Sequence, residues 1–258
     1  MNQPFISIII TILNGENTIE ACLESVIQQT FTDYELVIVD GGSTDRTVEL
    51  IKKSSVRNKT IEVVPELGLY AGLNMGIKLS VGRWLYFMGA DDTLHSPDTL
   101  QQVTNVINRR KIHTEVVVGE VQFVKQNYVH RPMFGSPYLM RHQVHHQGVF
   151  YVRELFDELL YDEKMRIASD YELNLKLALL KIPHEAMNFI ICNFGGDGVS
   201  ENQMKLGYAE MQQIHRRLFK GLLGSWAVRY FWIRRKTGAF IRHYNLLTVR
   251  DGIKNIFG

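Results

Sequence analysis

FISIIITIL, residues 5–13, is the stretch from which the fold can be read. It is β-branched and almost continuously apolar, as a strand buried on both faces must be. Asn14 and Gly15 break it, and Ile19, Cys22, Leu23, Val26 and Ile27 then recur at helical spacing, with Asn17 or Thr18 as the cap. Tyr34 to Val39 forms the next strand, closed by Asp40, and a Gly-Gly-Ser-Thr-Asp turn leads to a helix carrying Val48 and Ile51. Working outward, Ile61 to Val64 reads as a strand, Leu73, Ile77 and Val81 mark a helix, and Trp84 to Met88 is a further strand. Ser96-Pro97 signals another helix start, with Leu100, Val103, Val106 and Ile107 as its buried stripe. Strands alternating with helices predict an α/β fold with a mostly parallel, doubly wound sheet. In such sheets ligands bind beyond the carboxyl ends of the strands, which singles out Asn14, Asp40 and the Gly89–Asp92 turn.

The later sequence is less regular. Val116 to Gly119 and Val121 to Val124 suggest strands, and Asp170 to Leu180 a helix bearing Leu173, Leu177 and Leu180. From about Lys205 the chain reads as helical, with Trp226, Tyr230, Phe231, Trp232, Ile233 and Phe240 interleaved with arginines. The formal charge of +2 hides an asymmetry, because after His215 ten basic residues stand against the single Asp251. That pattern suits a helix lying on an anionic membrane surface, or one packed by its aromatic side on the domain; nucleic acid is not the expected partner. A hydrophobic fraction of 45% and charged fraction of 22% are those of a globular protein, and no apolar run is long enough to cross a bilayer. With only Cys22 and Cys192, no disulfide framework is expected. The expected location is the cytoplasm, without a secretory leader, and peripheral to the inner face of the plasma membrane if the basic segment docks there.

Two pairs of carboxylates lie at strand ends, Asp40 with Asp45 and Asp91 with Asp92. Each alone could be a turn residue or a cap, and Asp45 could simply begin its helix. Together at one sheet edge they call for a compensating cation, and all-oxygen ligands suit Mg2+ or Mn2+ bridging to substrate phosphate. Neither a G-x-G-x-x-G turn nor a Gly-Lys-Ser/Thr phosphate loop is present. A diphosphate would therefore be held through the metal.

SIIITILNGENTIEACLESVIQQT at 7–30, VDGGSTDRT at 39–47, GLYAGLNMGI at 68–77 and FMGADDTL at 87–94 resemble, in order, the family 2 glycosyltransferases of the GT-A fold. The likeness continues through HHQGVFYVRELF at 145–156 and ASDYELNLKLAL at 168–179. The resemblance implies a Rossmann-like central sheet and a GT-A catalytic domain over residues 1–204, and the helical, basic and aromatic segment 205–258 reads as an extension to it. Within the domain, residues to about 110 would hold the nucleotide, and about 111–204 the acceptor. It implies an inverting transfer of sugar from a nucleotide-sugar, UDP-sugar by default, to a glycan or lipid-linked acceptor in cell-surface polysaccharide synthesis.

By the same resemblance Thr11, Asn14, Glu16, Asp40 and Ser43 bind the nucleotide, Asp91 faces its ribose, Asp92 faces the metal and Asp170 is the catalytic base. Asp170 could instead cap its helix, as could Ser169. His145 and His146 either join the metal site or diphosphate, or sit hydrogen-bonded in the core. Tyr70-Ala71-Gly72 stands where relatives often have Tyr-Asp-Ala, and Gly89-Ala90 where many have Asn-Ala, which bears on donor identity. FGGDGVS at 194–200 resembles a glycine-rich stretch late in related enzymes, and reads equally as a turn. The rival readings are a sugar-phosphate nucleotidyltransferase and a non-catalytic nucleotide-sugar-binding protein.

Overall fold

The first two apolar runs become adjacent strands, β1 (Ile6–Ile12) and β2 (Tyr34–Asp40), almost wholly buried along their length. The computed structural model describes residues 3–109, 114–140, 142–196 and 203–219. The chain divides into two units, Met1–Glu210 and Met211–Gly258. In the first, α1 (Ile19–Ile27), α2 (Thr47–Lys53), α3 (Leu69–Leu79) and α4 (Thr99–Asn108) alternate with β3 (Lys59–Val63), β4 (Trp84–Gly89) and the short β5 (Thr93–Leu94). There follow β6 (Val116–Phe123), β7 (Tyr128–His130), α5 (Ser136–Leu139), β8 (Val149–Val152), α6 (Ser169–Leu179) and β9 (His184–Phe194). Helix α7 (Met204–Leu218) runs into the second unit.

The described strands form a nine-stranded sheet in the order β3-β2-β1-β4-β8-β6-β9-β5, with β7 on β6. Strands β3, β2, β1 and β4 are mutually parallel, β8 is antiparallel to both β4 and β6, and β6 is parallel to β9. The expected α/β, Rossmann-like sheet flanked by helices is therefore present, parallel in its first half and mixed in its second. Ile6, Ile8, Ile10 and Ile12 of β1 join a core with Cys22, Leu23 and Val26 of α1 and Leu100 and Val103 of α4. Helix α3 packs on β1 and β2. Its approach is close because Gly76 and Gly72 lie against the side chains of Ile9 and Thr11, where a Cβ would collide.

Local details depart from the periodicity. The two runs Val116–Gly119 and Val121–Val124 fall on one strand that ends at Phe123, because β6 stays paired with β9 through a register irregularity between Val118 and Val121. Val81 does not extend the buried stripe of α3, which ends at Leu79, and is 54% exposed. Leu180 likewise falls just beyond α6 and faces solvent.

Candidate active site

Register decides which turns meet. Ile12 pairs with Asp40, Thr11 with Gly89 and Asp40 with Val63, so β1, β2, β3 and β4 end at one edge. Asn14 leaves β1 in the left-handed region at φ 52, which asparagine tolerates better than most residues. There its amide N–H donates to Ser43 Oγ at 2.8 Å and its Oδ1 accepts from the Thr44 N–H at 2.9 Å, joining the first turn to the second. Glu16 reaches the same turn, accepting from the N–H of Arg46 at 3.1 Å. Asp40 is fully buried. Its Oδ1 accepts from the N–H groups of Gly42 and Ser43 and its Oδ2 from the Ser43 hydroxyl, so it shapes the turn from beneath. Asp45 lies just before α2, whose N-cap position is Arg46, and accepts from the N–H of Thr47 at 3.0 Å and from the N–H of Glu16.

The β4 turn carries the second carboxylate pair. Asp91 is partly exposed, while Asp92 is buried with Oδ2 accepting from the Gly89 N–H at 3.0 Å and Oδ1 from the Gly195 N–H at 2.9 Å. Pairing of Thr93–Leu94 with Asn193–Cys192 brings Gly195 there, and glycine is needed because a Cβ would strike the Asp91 carbonyl. Burial, then the adjacent Asp91 charge, push the Asp92 carboxyl up to about 6, against the pull of the two amides. A carboxyl raised in the folded state favours folding while it is protonated. That contribution is complete only well below the unfolded value of 3.8 and is lost as the pH rises through about 6. Against an Asp92→Asn reference in urea denaturation, we expect the wild type to lose about 2 kcal/mol of relative stability between pH 4 and 7. A pH-independent difference would show that Asp92 is not raised.

Among the described residues no three His, Cys, Asp or Glu side chains converge to form a metal cage. Two adjacent carboxylates, one strained as an anion by burial and by its neighbour, nevertheless fit a hard cation that takes its other oxygens from phosphate and water. The two histidines have different ring partners, and His146 is close enough to Asp92 for its charge to act on that carboxylate. The His145 ring is enclosed by Phe123 at 4.8 Å, His130 at 5.2 Å and Phe194 at 5.6 Å between centroids. Burial, then His130, hold its imidazole down to about 4, so it is neutral near pH 7.

His146 instead turns to Asp170, its Nδ1 at 3.3 Å from Oδ2, while the Tyr70 hydroxyl donates to Oδ1 at 3.0 Å. Asp170 therefore points its carboxylate at two side-chain donors in the first turn of α6, whose N-cap position is Ala168. Ser169 is also otherwise engaged, its Oγ accepting from the N–H of Asp162. The N–H groups of Arg166, Ile167 and Ala168, leading into α6, are held by the carboxylate of Glu210 at 2.8–2.9 Å. Burial pushes the Asp170 carboxyl up, but the His146 contact, the Tyr171 N–H and the Tyr70 hydroxyl outweigh it and hold it below the usual range.

A sequence profile described as Glycosyl transferase family 2 matches residues 7–160, which span β1 to the segment after β8. The chain belongs to glycosyl transferase family 2. A PGL/p-HBAD biosynthesis glycosyltransferase of Mycobacterium tuberculosis is 35% identical over 181 residues, covering 68% of this chain and 70% of its own. Among solved structures, S. aureus TarS superposes with a TM-score of 0.66 at 19% identity over 84% of this chain, which spans 40% of TarS. A 1–349 form of TarS in complex with UDP-GlcNAc gives 0.67, again at 19% identity, over 82% of this chain and 66% of that one. Mannosyltransferase PcManGT from Pyrobaculum calidifontis, in complex with GDP-Man and Mn2+, gives 0.68 at 16% identity over 89% and 69%. At these identities the structural likeness shows the GT-A fold of this family 2 glycosyltransferase.

Three residues that contact the candidate site's carboxylates or the start of α6 were not singled out by the sequence reading as site residues. Tyr70 was named only within Tyr70-Ala71-Gly72, as a departure from the family pattern, and its partner is 100 residues away. Glu210 lies on a helix assigned to the extension, and Gly195 in a stretch that reads as a turn. Residues 197–200 of that stretch, and the aromatic and basic residues from Lys220 onward, lie outside the described residues.

Proposed function

We propose that this glycosyltransferase moves a sugar from a nucleotide-sugar, with a UDP-sugar as the default donor, to a hydroxyl of a glycan or lipid-linked acceptor with inversion at the anomeric carbon. The observation that carries the reading is Asp170. Besides the Tyr171 N–H in the first turn of its helix, a tyrosine and a histidine hold its carboxylate, in a chain whose β1, β2 and β4 turns share one edge. Thr11, Asn14, Glu16, Ser43 and Asp91 are the proposed base and ribose contacts, with Asp40 acting through the turn that it braces. Asp92, beside Asp91, is the proposed ligand for Mn2+ or Mg2+; when bound, the cation supplies positive charge for a diphosphate leaving group.

In the proposed reaction the acceptor oxygen forms the new bond to the anomeric carbon as the bond to the diphosphate breaks. Its proton passes to Asp170 and the electron pair leaves with the diphosphate. A sugar hydroxyl is a weak nucleophile near pH 7, so a carboxylate within hydrogen-bond reach that accepts its proton is the needed group. Family membership favours this over nucleotidyl transfer, and a binding protein without turnover has no use for such a carboxylate.

Residues 1–204 are proposed as the catalytic domain and 205–258 as the extension, whose arginines and aromatic residues suit an anionic membrane surface. Among the described residues no helix is long and apolar enough to cross a membrane. The direct test is thermal stabilisation by UDP-glucose, UDP-N-acetylglucosamine, GDP-mannose and dTDP-rhamnose, each with and without Mn2+. One donor is expected to raise the melting temperature, and more so with the metal. No stabilisation by any nucleotide sugar would overturn the reading.

A further inference from the structure

Asp170 has a neighbour on each oxygen, and the two come from different parts of the fold. Tyr70 sits in the first turn of α3, only 3% exposed, with its ring stacked on Tyr161 at 5.5 Å. Tyr161 in turn meets Phe87 edge-on at 5.4 Å, so the hydroxyl is mounted on a packed aromatic stack. His146 opens the single 3-10 turn His146–Gly148 before β8. That turn is pinned by the Tyr86 hydroxyl, which donates to the Gln147 carbonyl at 2.9 Å. It is also wedged at Gly148, where an added Cβ would come within 2.8 Å of the Gly119 carbonyl.

We propose that His146 and Tyr70 are positioning residues for the transfer reaction, holding Asp170 by its two oxygens so that the carboxylate meets the acceptor hydroxyl in one orientation. This rests on the reading of Asp170 as the base. An ionised carboxylate only accepts hydrogen bonds, so the imidazole nitrogen facing Oδ2 carries the proton, and neutral His146 is the Nδ1–H tautomer. Asp170 stands near the start of its helix with its side chain 21% exposed, and without the two side-chain donors the Tyr171 N–H alone would leave its carboxylate freer to turn about χ2. The competing arrangement reverses the roles: Asp170 orients the ring, and Nε2 of His146 takes the acceptor proton.

The variants separate these. Asparagine places an amide N–H where Nδ1–H was and has nothing at Nε2, so His146→Asn keeps the proposed contact and removes the rival base. We measure nucleoside diphosphate release from UDP-glucose, UDP-N-acetylglucosamine and GDP-mannose, with Mn2+ and water as acceptor, for the wild type and for His146→Ala, His146→Asn, Tyr70→Phe and Asp170→Asn. His146→Ala and Tyr70→Phe are expected to lower kcat about ten- to a hundredfold with an unchanged donor KM, as loss of one charge-assisted hydrogen bond implies. His146→Asn is expected to recover most of that loss.

A wild-type kcat for His146→Ala overturns the proposal, and so does a His146→Asn enzyme as slow as His146→Ala, which would assign the proton to Nε2. A normal rate for Asp170→Asn would instead sink the reading of Asp170 as base. A second measurement needs no turnover: 15N NMR of histidine-labelled protein, with the His146 signals identified by their loss in His146→Asn. The Nδ1–H tautomer is expected in the wild type, and an Nε2–H tautomer would overturn the proposal.

Discussion

Asp170→Asn is expected to bind the donor like the wild type and to transfer sugar about a thousandfold more slowly, the middle of the range for a lost general base. The substitution is nearly isosteric, and its amide oxygen can still accept from Tyr70 or from His146, so the local packing survives. Helix α6 does not depend on this carboxylate for its start, because the amides leading into it are held by Glu210. What asparagine lacks is a basic oxygen able to take the proton from the acceptor hydroxyl. The measurement is initial transfer rate beside donor affinity by calorimetry. A normal rate would move the base elsewhere, whereas equal losses of rate and donor affinity would place Asp170 in binding.

Asp92→Asn is expected to lose the part of donor affinity that depends on Mn2+, at least about a hundredfold, while donor binding without metal stays near wild type. Asparagine still offers one acceptor to the Gly89 or Gly195 amide, so the turn keeps one of its two ties. It no longer brings the negative charge that a hard cation requires. Titrating a nucleotide sugar with and without Mn2+ gives the result directly. An unchanged metal dependence would show that Asp92 is only a structural carboxylate, tying the β4 turn to β9.

These two carboxylates also mark how far the sequence can be read. The run at 5–13 determined a strand buried on both faces, and the strands and helices that alternate after it determined a parallel sheet, because burial and periodicity are local signals. Parallel strands end on the same edge, so the turns at Asn14, Asp40 and Gly89–Asp92 were legible as neighbours before any coordinate was known. The tertiary structure alone decided what each carboxylate does there. Asp92 meets Gly195 across 103 positions and Asp170 meets Tyr70 across 100, while Glu210 reaches back 42 to the amide of Ala168. It alone decided, too, that His145 joins an aromatic cluster while its neighbour His146 turns to Asp170. Such contacts leave no periodic trace in the chain. They depend on side-chain direction and on which distant segments the packed sheet brings within about 3 Å, and those are settled only when the whole core closes.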